Sequence, residues 1–132
     1  MRFYSVQSPS DVVRLRGGGT PWPTGLQRAN LGLGLYAWAA PEDSARYAEH
    51  LQKRGAVDLV VVVYEIADDD LAHLTKQDLT QLTDEEATAW LAKYSEYGDA
   101  ESHDWEYIVR NTGMGTEHFF AASVFSRLRE VP

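Results

Sequence analysis

The alternation of apolar and polar residues divides the chain into short segments. Arg2 to Val6 reads as a strand, and Ser8-Pro9-Ser10-Asp11 supplies the cap, proline and early acid of a helix start. Val12, Val13 and Leu15 belong to that short helix, which Gly17-Gly18-Gly19 closes. Residues 20–31, with Pro21, Pro23 and Gly25, form a loop. Residues 32–38, GLGLYAW, read as a second strand entered through glycines that permit close backbone approach. Pro41-Glu42-Asp43 opens a second helix, with proline at its first position and acids at the positive end of its dipole. Lys53, Arg54 and Gly55 close it.

The strongest strand signal is Val57 to Ile66, VDLVVVVYEI, β-branched and apolar on both parities, which predicts a central position in a sheet. Residues 67–97 read as helical and polar, with a helix starting at Thr83 and running through Trp90, Leu91 and Tyr94. Trp105 to Arg110 alternates like a strand, residues 111–116 form a glycine-containing turn, and His118 to Phe125 is a last apolar stretch. The order β-α-β-α-β-α-β-β predicts an α+β domain over residues 1–132.

A chain of 132 residues can bury a core without a disulfide or structural zinc, and with no cysteine it has no thiol chemistry and no cysteine-held metal. No apolar run approaches the ~18 residues that span a bilayer, and the opening MRFYSV lacks a signal-peptide pattern, so a cytoplasmic protein without a membrane partner is expected. The net charge of −8 is uneven: residues 65–106 hold thirteen acids against Lys76 and Lys93. An acidic chain is a poor nonspecific binder of nucleic acid, because phosphate contacts supply most of that affinity. The acidic segment is most simply a solvated surface, and otherwise a docking patch for a protein partner.

Four scattered histidines show no metal-ligand spacing, and Asp68-Asp69-Asp70 lacks the alternating ligands of a calcium loop, so no catalytic metal is expected. The glycine pairs lack the lysine and serine of a phosphate loop and the third glycine of a dinucleotide fingerprint. One constellation remains. The second strand ends in Tyr36, and the helix after it carries Ser44, Tyr47 and Leu51 at i, i+3 and i+7, on one helix face. Two tyrosines could hold a flat ring while the serine offers a hydroxyl; equally, they could seal the helix onto the sheet.

The pattern Gly32-Leu-Gly34-Leu-Tyr36, with Ser44 eight residues and Tyr47 eleven residues after the tyrosine, resembles the nicotinamide-pocket signature of poly(ADP-ribose) polymerase catalytic domains and of the wider diphtheria-toxin-like ADP-ribosyltransferase superfamily. Trp105-Glu106-Tyr107-Ile108-Val109 is similar to the family's N-E-Y-I-V, and the buried-strand signal LVVVVYEI lies between the two motifs as in the family. The resemblance implies a split mixed β-sheet with flanking helices. It implies NAD⁺ as co-substrate, with Gly34, Tyr36, Ser44 and Tyr47 around nicotinamide, and transfer of ADP-ribose to a macromolecular acceptor, protein or nucleic acid, as in toxin-like effectors. Cleaving the nicotinamide–ribose bond builds positive charge on the sugar, which calls for a carboxylate close by. Glu106 is the first choice, and Glu117, which opens the apolar stretch HFFAASVF, is its rival.

The family's polymerase-like branch carries histidine then glycine on its first strand. Superposing the first helices sets Tyr4 at the histidine and Ser5 at the glycine. Arg2 lies on the same strand face as Tyr4 and is either a phosphate ligand, as in the branch that uses an arginine there, or an exposed strand-end charge. The absent histidine motivates a second expectation: a module without turnover, binding NAD⁺ or ADP-ribose or a protein partner through residues 65–106.

Overall fold

A computed structural model describes residues 1–21, 31, 33–83, 85–87, 89–90 and 105–132. The elements run, in chain order, β1 (Arg2–Gln7), α1 (Pro9–Arg16), β2 (Gly34–Trp38), α2 (Pro41–Lys53), β3 (Val60–Glu65), α3 (Asp68–Ala72), β4 (Lys76–Asp78), β5 (Tyr107–Thr112), β6 (Gly115–Ala121) and β7 (Arg129–Glu130). The strands form one mixed sheet in the order β4-β5-β6-β2-β1-β3-β7. Only β4 and β5 run parallel; all other neighbours are antiparallel. The domain is α+β, as its element order predicts.

Local chemistry explains where the helices begin. Ser8 caps α1 by accepting a hydrogen bond from the Asp11 N–H at 3.2 Å, and its own hydroxyl donates to the Asp11 carboxylate at 2.9 Å. Pro9 needs no donor at the first helical position. Arg14 pairs with Asp11 one turn on. Ser8→Ala is expected to cost about 1 kcal/mol, read as a lowered urea midpoint at unchanged slope; an unshifted midpoint would remove the cap from this account. In α2, Pro41 again occupies the first turn, with Glu42 and Asp43 beside it, and Gly55 leaves the helix at a φ of +104°.

Strand alternation gives the sheet two different faces. One carries Phe3, Leu35, Ala37, Val62, Tyr64, Tyr107, Val109 and Phe120, packed with Val12 of α1 and with Val124 and Leu128 near the end of the chain. The other carries Val6, Tyr36, Trp38, Ile108 and Phe119. Tyr47 and Leu51 of α2 cover its Val6–Trp38 side, and Leu31 and Leu79 cover the Tyr36–Phe119 side. The face predicted for α2 is the one it buries: Ser44, Tyr47 and Leu51 are its buried residues.

Three expectations change. β3 is not central: its outer neighbour β7 has two residues and pairs only with Tyr64 and Glu65, so Val60 and Val61 stay more than two-fifths exposed. Its apolar run on both parities exceeds what its neighbours cover. Within residues 67–97, α3 ends at Ala72 and Lys76–Asp78 forms β4, whose Gln77 stands beside Ile108 of β5. Three polar residues carry no strand period, and only the pairing with β5 makes them a strand. The helix expected from Thr83 is present through residue 90 among the described positions, with Thr83 and Glu86 exchanging side-chain-to-backbone hydrogen bonds; Leu91 and Tyr94 lie outside those positions. Lastly, the turn expected over residues 111–116 tightens to Gly113 and Met114. β5 and β6 reach it from both sides, and Ala122–Arg127 forms a 3-10 helix where the last strand was expected to continue.

Candidate functional site

The β5–β6 hairpin pairs residues symmetrically about Gly113 and Met114, which sets Arg110 opposite Glu117, and the β2–β6 pairing sets Glu117 opposite Trp38. Tyr36 lies opposite Phe119, so it is one strand across from Glu117 and about 7 Å along the sheet, two residues at ~3.3 Å each. Alternation turns Tyr4, Tyr36, Trp38, Arg110 and Glu117 to the face that α2 covers. Tyr47 leans on Trp38 with ring centroids 5.3 Å apart, and Met114 packs into the same cluster from the hairpin tip.

The tip is tied to the start of α2. Arg46 donates to the Met114 carbonyl at 2.6 Å and to Asp43 at 3.2 Å. The Asp43 carboxylate occupies the space beside Gly115 that a Cβ would need, and Gly115 also has a φ of +136°. Helix and hairpin therefore fit closely only with glycine at this position.

Glu117 is 3% exposed, with Arg110 Nε donating to its Oε1 at 2.8 Å. Burial pushes the Glu117 carboxyl above the usual carboxylate range, and the Arg110 guanidinium opposes that push by charge and by hydrogen bond. Burial likewise raises the Tyr47 phenol, with the Glu117 carboxylate adding to the rise and Arg110 and Arg54 countering it. A buried carboxylate, a guanidinium and a phenol that perturb one another on one sheet face form the kind of cluster found at functional sites.

The other predicted residues are distributed as follows. Ser44 is buried, and its hydroxyl donates to the Pro41 carbonyl of its own helix at 2.7 Å. Tyr36 accepts at its hydroxyl from the Leu31 N–H at 3.1 Å, and its ring meets Phe119 edge-on at 5.1 Å. The two tyrosines share a sheet face but sit in separate clusters, Tyr36 with Phe119 and Tyr47 with Trp38. Ser5 lies on the opposite face, donating to the Tyr36 carbonyl at 3.0 Å. Arg2 is exposed and shares the Glu65 carboxylate with Arg129, and these two hydrogen bonds hold Glu65 below its usual range. Gly34 faces Ala121 of β6.

Glu106 stands apart from Glu117. Its carboxylate accepts from the Thr75 N–H at 2.9 Å beside the outer strand β4, and it precedes Arg110 by four residues, about 13 Å along β5. Among the described residues, no three His, Asp or Glu side chains gather as a metal cluster, and no helix is long and apolar enough to cross a membrane. Arg110, Trp38 and Met114 had not been expected near the site. The signal for Arg110 was available, because a turn centred on Gly113 and Met114 places Arg110 and Glu117 at equal distances from it.

Comparison with known protein families, curated proteins and solved structures finds no match.

Proposed function

We propose that the chain is an NAD⁺-dependent ADP-ribosyltransferase domain whose site lies on the α2 side of the sheet, with Glu117 as its carboxylate. The observation that carries the reading is the position of Glu117. It is buried on β6 opposite Trp38, on the sheet face that carries Tyr36 two residues along β2 and under the helix that bears Ser44 and Tyr47, three residues of one sequence pattern. Those are the residues of the nicotinamide-pocket pattern. Glu106, whose carboxylate ties Thr75 to the start of β5, serves the sheet edge in this reading.

When the nicotinamide–ribose bond of NAD⁺ breaks, its electron pair leaves with nicotinamide and positive charge grows at the sugar carbon. A fixed carboxylate stabilises that charge without having to reorganise. Arg110 Nε donates to Oε1 of Glu117, and a ribose hydroxyl would take Oε2. Trp38 and Tyr47 supply aromatic surface next to it. The acceptor is macromolecular, attacks the same sugar carbon as nicotinamide leaves, and releases its proton to solvent water as the new bond forms.

A second reading is favoured by a separate observation. The Ser44 hydroxyl is bonded within its own helix, the Tyr36 hydroxyl is bonded to Leu31, and Arg2 is ion-paired to Glu65. A module with these groups engaged internally would lack turnover and act through a partner, with the acidic residues of segment 65–106 as its contact.

Free nicotinamide released from NAD⁺, with and without cell lysate as a source of acceptors, separates the two. Under the enzyme reading Glu117→Gln lowers release by about 100-fold or more, a typical cost for losing one transition-state contact, while Glu106→Gln changes it by less than about threefold. Loss of release with Glu106→Gln alone would move the site to the β4–β5 edge. No release by the wild type, together with no NAD⁺ binding by calorimetry, would leave the partner-binding module.

A further inference from the structure

We propose that Arg110 is the positioning residue of this site, holding Glu117 as a carboxylate in one orientation on the α2 face. The inference rests on the reading in which Glu117 stabilises charge on the sugar, and it assigns a role that the Tyr36–Ser44–Tyr47 pattern does not include.

A carboxyl at 3% exposure loses nearly all its hydration, and burial by itself favours the neutral acid. Neutral, the group could not stabilise a cationic sugar. Among the described residues, the groups that face Glu117 come from three elements. From β5 comes Arg110, from α2 comes the Tyr47 phenol with Arg54 beyond it, and from β2 comes the uncharged indole of Trp38. Among them Arg110 is the cation in direct contact, at 2.8 Å, and the hairpin register fixes it there, since residues 110 and 117 are Cα partners. Its own side chain is 14% exposed, so solvent screens the pair little.

Contact through a single nitrogen also sets direction. The Nε–Oε1 bond biases the carboxylate toward one orientation, with Oε1 turned to β5. Lysine could supply the charge from a flexible stem, but not this planar contact.

The test follows Glu117 directly, by carbon-13 NMR titration of glutamate-labelled protein, with the Glu117 signal assigned by its loss in Glu117→Gln. In Arg110→Gln and Arg110→Met the midpoint of Glu117 is expected to rise by at least about one pH unit, the usual scale for removing an adjacent opposite charge, and in Arg110→Lys to return most of the way. In the same variants the acid limb of nicotinamide release moves upward by the same interval, so release at pH values below both midpoints falls about tenfold and recovers in more alkaline buffer. A residue that merely braces the hairpin would lower stability and leave both midpoints in place. If Arg110→Met does not fold, Arg110→Gln, which retains an N–H donor without the charge, carries the test. An unchanged Glu117 midpoint in the Gln variant overturns the proposal. Wild-type protein that releases no nicotinamide at any pH overturns the transferase reading instead, while the titration still decides what Arg110 does to Glu117.

Discussion

Gly34→Ala is expected to destabilise the folded protein by about 3 kcal/mol or more, at the upper end of overpacking effects. A Cβ at this position would lie 2.2 Å from the Phe120 carbonyl oxygen and 2.5 and 2.9 Å from two atoms of the Phe119 ring. Neither neighbour can retreat. The carbonyl belongs to the backbone of β6, held between β2 and β5, and the Phe119 ring is fully buried against Tyr36. The family resemblance assigns Gly34 to the nicotinamide pocket, whereas the packing gives it a duty within the sheet. The two differ in what they predict for ligand-free protein, where a pocket role would leave stability untouched. Urea unfolding of Gly34→Ala beside Gly113→Ala, which meets nothing within 4 Å, decides it: the control stays within about 0.5 kcal/mol of wild type. A Gly34→Ala loss below about 1 kcal/mol would mean that the strands separate more easily than this close approach implies.

The elements with local chemistry of their own were legible. α1 and α2 announce themselves through Ser8-Pro9 and Pro41-Glu42-Asp43, and the spacing of Ser44, Tyr47 and Leu51 names the face that α2 buries. What the sequence could not supply was which strands would become neighbours. VDLVVVVYEI looks central by composition, but strand position is settled by pairing over the whole chain, and β7 covers only the far end of β3. Lys76–Asp78 has no strand signal at all, because its identity comes from lying beside Tyr107–Val109. The site follows the same division. The candidates Tyr36, Ser44 and Tyr47 come from one stretch of chain, and the fold buries all three while setting the two tyrosines in separate clusters. The preference between Glu106 and Glu117 turned on a short motif, while the neighbour of each depends on sheet order, which sets Glu117 beside β2 and Glu106 against Thr75.

Burial affects the two sides of the hairpin differently, since adjacent residues of β6 point to opposite faces. Glu117 points under α2 with an arginine for company. His118 points into the main core, against Phe3 at 5.0 Å and stacked beside Tyr107 at 5.8 Å, and its Nδ1 lies 2.6 Å from the Tyr107 hydroxyl. One strand thus carries a buried carboxyl whose upward shift an arginine partner opposes and an imidazole whose surroundings disfavour its charge.

That imidazole makes the fold acid-sensitive. Burial first, and the nearby Lys76 ammonium second, lower His118 from the ordinary histidine value of 6.5 to about 4, with Asp78 working weakly the other way. In the native state the ring is therefore neutral near pH 5, with Nδ1 hydrogen-bonded to the Tyr107 hydroxyl, whereas the unfolded chain takes up a proton there. Each pH unit between those two values then favours unfolding by about 1.4 kcal/mol, so the contribution is complete above pH 6.5 and has fallen by about 3 kcal/mol at pH 4. Glu117 acts in the opposite sense, because its raised native value makes the folded form the better proton acceptor as pH falls. His118→Phe isolates the histidine term. The phenyl ring fits among Phe3, Tyr107 and Phe120 but strands the Tyr107 hydroxyl, a cost of about 1–3 kcal/mol that does not vary across this range. Urea unfolding at pH 7.5 and 4.5 is expected to show the wild type losing about 2–3 kcal/mol more than His118→Phe over the interval. Equal losses in the two proteins would mean that His118 is protonated inside the fold, and the acid sensitivity would then belong to the carboxylates.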